Sequence, residues 1–308
     1  PVNDGLVLPF DHDPVLRPEK EDIMILAVVG PTGVGKTRMS VALAKKYNAI
    51  IINCDAMQVY KDLNIGTAKI KESEKEGVPH YLFDFVDVKK NYTVADYQRD
   101  ARALLEKYKD RNIIFVGGTG LYLKAALYDY RFSEEEEEKK DYSNFSNEEL
   151  YELCLKKNPT CTIHPNNRKR LIRFLEKKDT ETVPAIPLYP ALFIGLTTNR
   201  EKLYQIIDDR VLKMMEEGLL KEVKTFYDKN IRSKALMTGI GYKELYEYFD
   251  GLCTLENAIE NIQQKSRHYA KRQYTFFNHQ LPVKWFDVIY EDFNKSIDEV
   301  INYIEHQK

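Results

Sequence analysis

The chain has 308 residues, of which 43% are hydrophobic and 31% are charged. This composition is typical of a globular protein with one large domain and a smaller one. The formal net charge of −2 gives no global attraction for nucleic acid, so a nucleic-acid site would have to be a local basic patch. No stretch reaches the roughly 18 consecutive apolar residues of a membrane helix, which predicts a protein without a membrane span.

The N-terminus and the cysteines indicate a cytoplasmic protein. Residues 1–22 carry no secretory pattern and are predicted to form a loose tail. Cys54, Cys154, Cys161 and Cys253 include no C-x-x-C pair, so structural zinc is not expected. Reduced thiols are usual in the cytoplasm, which is the predicted compartment.

Apolar runs alternate with helical patterns in the first part of the chain. Four runs predict strands, at residues 23–29, 50–52, 80–86 and 112–116. Continuous apolar runs are typical of strands that are buried on both faces. Helices are predicted at 36–47 and 94–109. This alternation predicts an α/β fold with a parallel sheet and helices on both of its faces.

The pattern becomes helical after Tyr128. Five consecutive glutamates within 133–140 are typical of a solvated segment and are given no function. Helices predicted at 147–157 and 165–178, without a strand between them, indicate a small helical insertion domain over 129–190.

The chain then returns to the main domain through a proline-containing link at 183–190. A strand is predicted at 191–197, followed by a long helix over 199–228 that is broken near Gly218, and then by mostly helical sequence. The main domain therefore comprises residues 23–128 and 191–308.

A phosphate-binding loop follows the first predicted strand. Residues 30–37 read GPTGVGKT and fit the pattern G-x-x-x-x-G-K-[ST] between a strand and a helix, as in the P-loop NTPases. Backbone N–H groups of such a loop bind phosphate oxygens, the lysine adds a charge, and the threonine hydroxyl can bind Mg²⁺. The predicted phosphate-binding residues are Gly30, Pro31, Thr32, Gly33, Val34, Gly35, Lys36 and Thr37. The motif does not distinguish ATP from other diphosphates or triphosphates.

Asp55 directly follows the second predicted strand and is the one well-placed carboxylate. The fourth apolar run, at 112–116, ends in glycines and offers no acid. Asp55 could organise Mg²⁺, act as a general base on an incoming nucleophile, or simply cap a turn.

Five segments resemble the tRNA dimethylallyltransferase family, also called tRNA isopentenyltransferases. They are residues 54–69 (CDAMQVYKDLNIGTAK), 77–80 (GVPH), 116–122 (VGGTGLY), 163–168 (IHPNNR) and 239–243 (GIGYK). The resemblance extends from about residue 23 to about residue 280. The chain lacks the Cys/His zinc module of eukaryotic members, which favours the bacterial type, and its insertion is short for the family.

The resemblance implies transfer of a dimethylallyl group from dimethylallyl diphosphate to N6 of adenine 37 in tRNA. The phosphate loop would then hold the leaving diphosphate, with Lys36, Thr37 and Mg²⁺ stabilising its charge. Asp55 would accept the N6 proton. Arg210 stands where the family has a diphosphate-binding arginine, although a surface salt bridge would also explain it.

The resemblance also implies tRNA contacts, with the anticodon loop as partner and the protein acting as a monomer. The predicted contacts are Asp55, Ala56, Met57, Gln58, Thr119, Arg168, Lys169, Arg170, Lys271 and Arg272. Tyr60 is assigned equally to base stacking and to packing. On the predicted C-terminal helix, the basic residues 265, 267, 268, 271 and 272 fall opposite an apolar face, which is typical of a backbone-binding or a solubilising surface.

Three other functions fit parts of the sequence. A P-loop small-molecule kinase shares the loop and the sheet, and its lid could be the insertion. An adenylate isopentenyltransferase that makes cytokinins shares the reaction, but its second glycine-rich turn reads more like Gly-Gly-Ser-Asn than the sequence GGTG at 117–120. A non-enzymatic nucleotide-binding module would leave Asp55 unexplained.

Overall fold

A computed structural model describes residues 23–132, 141–176 and 186–307. The predicted tail at 1–22, the acidic run at 133–140 and the first part of the link at 183–190 lie outside these residues. Within them, no helix combines the length and the apolar character needed to cross a membrane.

One parallel sheet organises the described chain, as predicted. Its six strands are β1 (Ile25–Val29), β2 (Ile50–Asn53), β3 (His80–Tyr81), β4 (Ile113–Val116), β5 (Leu192–Thr197) and β6 (Val283–Asp287). All neighbours pair in parallel in the order β3-β2-β4-β1-β5-β6. The carboxyl ends of β1, β2 and β4 therefore meet at one edge of the sheet, and β4 lies between the other two.

Helices cover both faces of the sheet. They are α1 (Lys36–Lys46), α2 (Val94–Lys107), α3 (Gly120–Leu127), α4 (Asn147–Lys157), α5 (Arg168–Leu175), α6 (Arg200–Glu216), α7 (Leu219–Asp228), α8 (Lys234–Thr238), α9 (Tyr242–Phe249), α10 (Leu255–Gln280) and α11 (Phe293–Glu305). One apolar core lies under α1, α6 and α11, and a second lies under α2, α3 and the end of α10. A third core joins α7, α8, α9 and α10 at the side of the sheet.

Two strand predictions differ from the structure. The strand expected over 80–86 ends at Tyr81 because Leu82 and Asp84 adopt left-handed backbone angles, with φ of 62° and 55°. Lys69 holds this bend by donating from Nζ to Oδ1 of Asp84 at 2.5 Å. Strand β6 is missing from the sequence prediction, since its residues are only partly buried at the sheet edge and give no continuous apolar run.

The helix predictions hold more closely. The long helix over 199–228 is broken at Gly218, whose φ of 105° separates α6 from α7 as predicted. The helix expected to begin at 165 begins instead at Arg168. There the side chain of Asn167 accepts a hydrogen bond from the Arg170 backbone N–H at 3.4 Å, which caps the first turn.

Helices α4 and α5 pack against each other around a small core of their own. Leu150, Cys154, Leu171 and Leu175 form its buried centre. Arg168 ties the preceding loop to α5, since its guanidinium donates to the carbonyls of Phe145 at 2.5 Å and Tyr142 at 2.6 Å.

Candidate active site

The phosphate loop connects the central strand β1 to α1. Gly35 immediately precedes the helix with a φ of 83°, a left-handed conformation that glycine adopts without strain. The loop thereby directs its backbone N–H groups and the positive end of α1 toward one point. The sequence prediction of a strand, a glycine-rich loop and a helix is confirmed here.

Two cationic side chains are fixed on this loop. Lys36 donates from Nζ to the carbonyl of Pro31 at 2.6 Å. Arg210 reaches over from α6, and its guanidinium donates to Oγ1 of Thr32 at 2.8 Å. Among the described residues, Arg210 makes this hydrogen bond and not the surface salt bridge that was considered for it. Through this hydrogen bond, helix α6 contacts the phosphate loop.

The electrostatics of the two cations are coupled to Asp55. Burial and, to a smaller extent, the neighbouring Arg210 charge lower the pKa of Lys36 to about 8, although the charge of Asp55 opposes this shift. Burial also lowers the pKa of Arg210, and Asp55 again opposes the shift. Two desolvated cations facing one carboxylate form a site that favours an added anion.

Asp55 is held by its neighbours at the end of β2. The buried amide of Asn53 accepts from the Asp55 N–H at 2.9 Å and donates to the Asp55 carbonyl at 3.0 Å. One carboxylate oxygen, Oδ1, accepts from the Met57 N–H at 2.9 Å, which is the turn cap considered above. Within the described residues Oδ2 accepts no hydrogen bond, so one oxygen of Asp55 stays available for a ligand.

Glycine at position 117 allows Asp55 to reach the phosphate loop. The chain that leaves β2 crosses the end of β4, and a Cβ at Gly117 would lie 2.4 Å from the carbonyl carbon of Cys54. Thr119 then secures the crossing, with its N–H donating to the Cys54 carbonyl at 3.0 Å and its Oγ1 accepting from the Ala56 N–H at 3.1 Å. Thr119 therefore fixes the backbone on both sides of Asp55 through these two hydrogen bonds.

A cavity of about 980 Å³ joins these elements. Its lining includes most of the residues predicted to bind phosphate and several predicted to bind tRNA: Thr32, Gly33, Gly35, Lys36, Thr37, Asp55, Ala56, Met57, Gln58, Arg210 and Arg272. Apolar side chains including Met57, Ile65, Phe83, Met214 and Ile240 complete the wall. The cavity thus has a cationic end and an apolar side.

One carboxylate on α7 shapes the apolar wall. Glu222 accepts hydrogen bonds from the N–H groups of Asn64, Ile65 and Gly66 at 3.1, 2.8 and 3.2 Å, and from the Tyr242 hydroxyl at 2.6 Å. The sequence analysis missed Glu222, because a single acid on an amphipathic helix gives no distinctive pattern.

Gln58 and Tyr60 have structural contacts. Gln58 lines the cavity, and its Nε2 donates to the Thr67 carbonyl at 2.9 Å. This donor therefore stabilises the loop that forms part of the cavity wall and is already used within the protein. Tyr60 is 5% exposed, and its hydroxyl accepts from the Tyr92 N–H at 3.2 Å. Of the two roles considered for Tyr60, the structure favours packing.

The basic residues of α10 separate into two groups. Lys265 pairs with the buried carboxylate of Glu244 at 2.7 Å, and Arg267 pairs with Asp208. The predicted solvent-facing basic side is thus partly neutralised. His268, Lys271 and Arg272 remain exposed. Arg272 alone among these three lines the cavity, where its guanidinium lies 5.6 Å from the ring centroid of Tyr269.

The structure does not bring every predicted residue to the cavity. Gly30, Pro31 and Val34 lie within the loop but behind its lining residues, and Lys271 lies outside the cavity. Lys169 and Arg170 are exposed on α5, away from the cavity lining, and Arg168 is engaged with backbone carbonyls. A contact between α5 and tRNA stays a prediction.

Comparison with known proteins identifies the family. Residues 58–280 match the family model described as IPP transferase. The tRNA dimethylallyltransferase of Anoxybacillus flavithermus is 45% identical, over 91% of this chain and 96% of the relative. The chain belongs to the tRNA dimethylallyltransferase family. The Bacillus subtilis member is 44% identical over 87% of this chain and 91% of its own length.

Solved structures of the family share the fold. The tRNA isopentenylpyrophosphate transferase of Bacillus halodurans is 40% identical with a TM-score of 0.72, covering 92% of this chain and 96% of that one. A eukaryotic dimethylallyltransferase acting on tRNA is 29% identical with a TM-score of 0.72, covering 86% and 74%. The predicted fold class and the predicted membership of a prenyltransferase family, with bacterial relatives, are confirmed.

Proposed function

We propose that the chain transfers a dimethylallyl group from dimethylallyl diphosphate to N6 of adenosine 37 in tRNA, and releases diphosphate. One observation carries the proposal. Asp55, whose Oδ2 accepts no hydrogen bond from the described residues, lines the same cavity as the phosphate loop, to which Lys36 and Arg210 donate hydrogen bonds. One cavity with an apolar wall therefore contains both a candidate general base and a binding site for a diphosphate leaving group.

The cationic end of the cavity is suited to a leaving diphosphate. The loop N–H groups, the N-terminus of α1 and the two cations all lie at this end before the reaction begins. Preorganised charge of this kind stabilises the negative charge that develops as the allylic C–O bond breaks. Arg210 also places a planar guanidinium beside Thr32, suited to bidentate contact with phosphate oxygens.

The donor set fits a magnesium ion that is bound mainly through the substrate. No group of three or more His, Cys, Asp or Glu side chains within residues 23–132, 141–176 and 186–307 could hold a metal alone. Mg²⁺ usually takes one or two protein oxygens together with phosphate oxygens and water. The Thr37 hydroxyl, exposed in the cavity lining, would be that protein ligand. The ion would neutralise charge on the diphosphate.

Asp55 completes the reaction as the general base. The N6 lone pair forms the bond to the allylic carbon, and the C–O bond electrons leave with the diphosphate. One N6 proton then passes to the Asp55 carboxylate. Asn53 fixes the backbone of Asp55 on both sides, and the Met57 N–H orients Oδ1, so the other carboxylate oxygen is positioned for this proton.

Binding of dimethylallyl diphosphate should weaken at alkaline pH. Lys36 has a pKa of about 8 in the free protein, and only its protonated form attracts the anion. We expect the affinity to change little around pH 7 and to fall by a factor approaching about tenfold per pH unit above pH 8. The ligand's last ionisation, near pH 6, lies outside this range. Isothermal titration without tRNA measures the profile, and Lys36→Arg should flatten it. A flat wild-type profile from pH 7 to 9.5 would contradict this assignment.

Arg272 and Lys271 should contribute phosphate contacts to tRNA binding. Both are exposed on α10, and Arg272 also lines the cavity. Each alanine substitution should reduce the slope of log affinity against log salt by about 0.7–0.9, and the double variant should reduce it by about twice that amount. Fluorescence anisotropy with an anticodon stem-loop measures the slope. Lys45→Ala, which breaks an exposed pair with Glu76 at the far end of α1, is the control. An unchanged slope removes this helix surface from the interface.

One assay tests the proposed function against its alternatives. The protein is incubated with labelled dimethylallyl diphosphate and either an anticodon stem-loop bearing adenosine 37 or free adenosine monophosphate. We expect label only in the stem-loop. Label in the mononucleotide would indicate a cytokinin-type enzyme, and phosphate transfer from ATP would indicate a kinase. We further propose a monomer in the cytoplasm, consistent with four free thiols.

A further inference from the structure

The first residue of α11, Phe293, packs on the phosphate loop. It is buried, and a Cβ at Gly35 would lie 2.5 Å from Cε2 and 2.7 Å from Cζ of its ring. The ring therefore occupies the space that a side chain at position 35 would need. Apart from the adjoining loop residues, the three described atoms nearest to such a Cβ all belong to Phe293, so this ring covers that face of the glycine.

Gly35 is a point at which the loop needs a restraint. Its left-handed φ of 83° is open to glycine without strain, but glycine also leaves this conformation easily, because no side chain limits its backbone. Its carbonyl accepts a hydrogen bond from the Met39 N–H at 3.0 Å and so belongs to the first turn of α1. Lys36 and Thr37 follow directly, so a change of conformation at Gly35 would move the groups that face the diphosphate.

Contacts at both ends hold α11 beside α1. At the beginning of α11, the guanidinium of Arg38 lies 4.7 Å from the Phe293 ring centroid, and its Nη2 donates to Oδ1 of Asn294 at 3.1 Å. At the end of α11, the Tyr47 hydroxyl donates to Oε1 of Glu305 at 2.8 Å. The two helices therefore run side by side in the same direction, which holds Phe293 beside the phosphate loop.

We propose that Phe293 is a positioning residue for the diphosphate, an inference that rests on the proposed function. By restraining Gly35 in its left-handed conformation, the ring keeps the loop N–H groups directed at the site before the ligand arrives. Without the ring, the loop would spend part of its time in conformations that do not bind the anion. The apparent dissociation constant would then rise by the inverse of the competent fraction.

The effect of Phe293 should be confined to binding of the diphosphate. Phe293 is not among the residues that line the cavity, whereas Gly35 is, so the ring acts on the ligand through the glycine. A saturating ligand selects the competent loop conformation, and the bond-breaking step should then proceed at nearly its normal rate. Asp55 follows a different strand, β2, and its position should not change. Affinity for the stem-loop should therefore also be preserved.

Phe293→Ala and a matched control test the assignment. The control, Ile304→Ala, removes a fully buried side chain from the same helix and core, about 16 Å along the helix axis from Phe293. Calorimetry measures binding of inorganic diphosphate without tRNA, and steady-state kinetics give KM and kcat for dimethylallyl diphosphate. We expect Phe293→Ala to raise both the dissociation constant and KM about tenfold, with kcat within about twofold of wild type. Ile304→Ala should lower the unfolding temperature and leave both binding constants unchanged.

Other results overturn the inference. An equal loss of diphosphate affinity in the two variants would show that α11 only supports the fold. Wild-type affinity in Phe293→Ala would show that the loop keeps its conformation without the ring, and a fall in kcat at unchanged KM would also contradict a role in binding. A wild type that binds diphosphate but transfers nothing to the stem-loop would refute the proposed function alone. A wild type that does not bind diphosphate would refute both.

A second variant remains informative if Phe293→Ala does not fold. Phe293→Leu keeps most of the core filled, but leucine is shorter than the ring, whose outer atoms Cε2 and Cζ make the contact with Gly35. We expect Phe293→Leu to raise the dissociation constant for inorganic diphosphate about threefold, again with kcat nearly unchanged. Diphosphate affinity equal to that of the wild type in this variant would contradict the positioning role.

Discussion

Asp55→Asn should reduce prenyl transfer to the stem-loop by about 10²- to 10⁴-fold, the range typical of a lost general base. The amide keeps the oxygen that caps the Met57 N–H, so the turn after β2 should stay intact. Binding of dimethylallyl diphosphate should persist, because the loop, Lys36 and Arg210 are unchanged. Single-turnover transfer and calorimetric binding of the diphosphate separate the two effects.

The matched control for this experiment removes a nearby acid of the same type. Asp84 is an exposed aspartate that pairs with Lys69 at 2.5 Å, and it does not line the cavity. Asp84→Asn should leave the transfer rate near that of the wild type. Transfer by Asp55→Asn at the wild-type rate would show that Asp55 is not the base. Loss of diphosphate binding in Asp55→Asn would instead indicate that Asp55 organises the metal.

Arg210→Met should reduce kcat/KM for dimethylallyl diphosphate by about 10²- to 10³-fold, as expected when a charged donor to the leaving group is lost. Burial lowers the pKa of Arg210, which is the direction expected when desolvation of its charge opposes folding. An apolar side chain of similar length should therefore leave the unfolding temperature unchanged or raise it. Steady-state kinetics and calorimetry test both parts.

Arg200 on the same helix provides the control for Arg210. It is exposed, and its guanidinium stacks over Tyr204 at 5.1 Å from the ring centroid, outside the cavity. Arg200→Met should change neither kcat/KM nor the unfolding temperature appreciably. Wild-type kcat/KM in Arg210→Met would remove Arg210 from the diphosphate site. A large fall in its unfolding temperature would show that its bond to Thr32 is mainly structural.

The sequence predicts the parts of the fold that follow from local patterns. Continuous apolar runs identify β1, β2 and β4. The glycine-rich motif also predicts a strand immediately before it and a helix immediately after it. The end of β3 was predicted wrongly because Leu82 and Asp84 adopt left-handed angles that their side chains do not favour. Those angles depend on contacts with distant segments, such as the Lys69–Asp84 pair.

The candidate site follows from the sequence only where motif residues face the ligand. Thr119 was predicted to contact tRNA, and this contact stays a prediction; in the structure its hydroxyl accepts a hydrogen bond from the Ala56 N–H. Gln273, a buried polar residue that lines the cavity, was overlooked, although a polar residue four positions from both Tyr269 and Phe277, on the apolar stripe of the helix, is a recognisable signal. Glu222 offers no such signal, because its three backbone partners belong to a loop more than 150 residues away.

The coupling of Asp55 to Lys36 and Arg210 has a consequence for the reaction cycle. When Asp55 takes a proton it loses one negative charge, and the departing diphosphate gains one. Both groups lie beside the same two cations, so the net charge of the enclosure stays constant from substrates to products. Little reorganisation of the surroundings is then needed during the chemical step. The two cations, no longer shared with Asp55, hold the product anion more firmly, which makes diphosphate release the expected slow step of turnover.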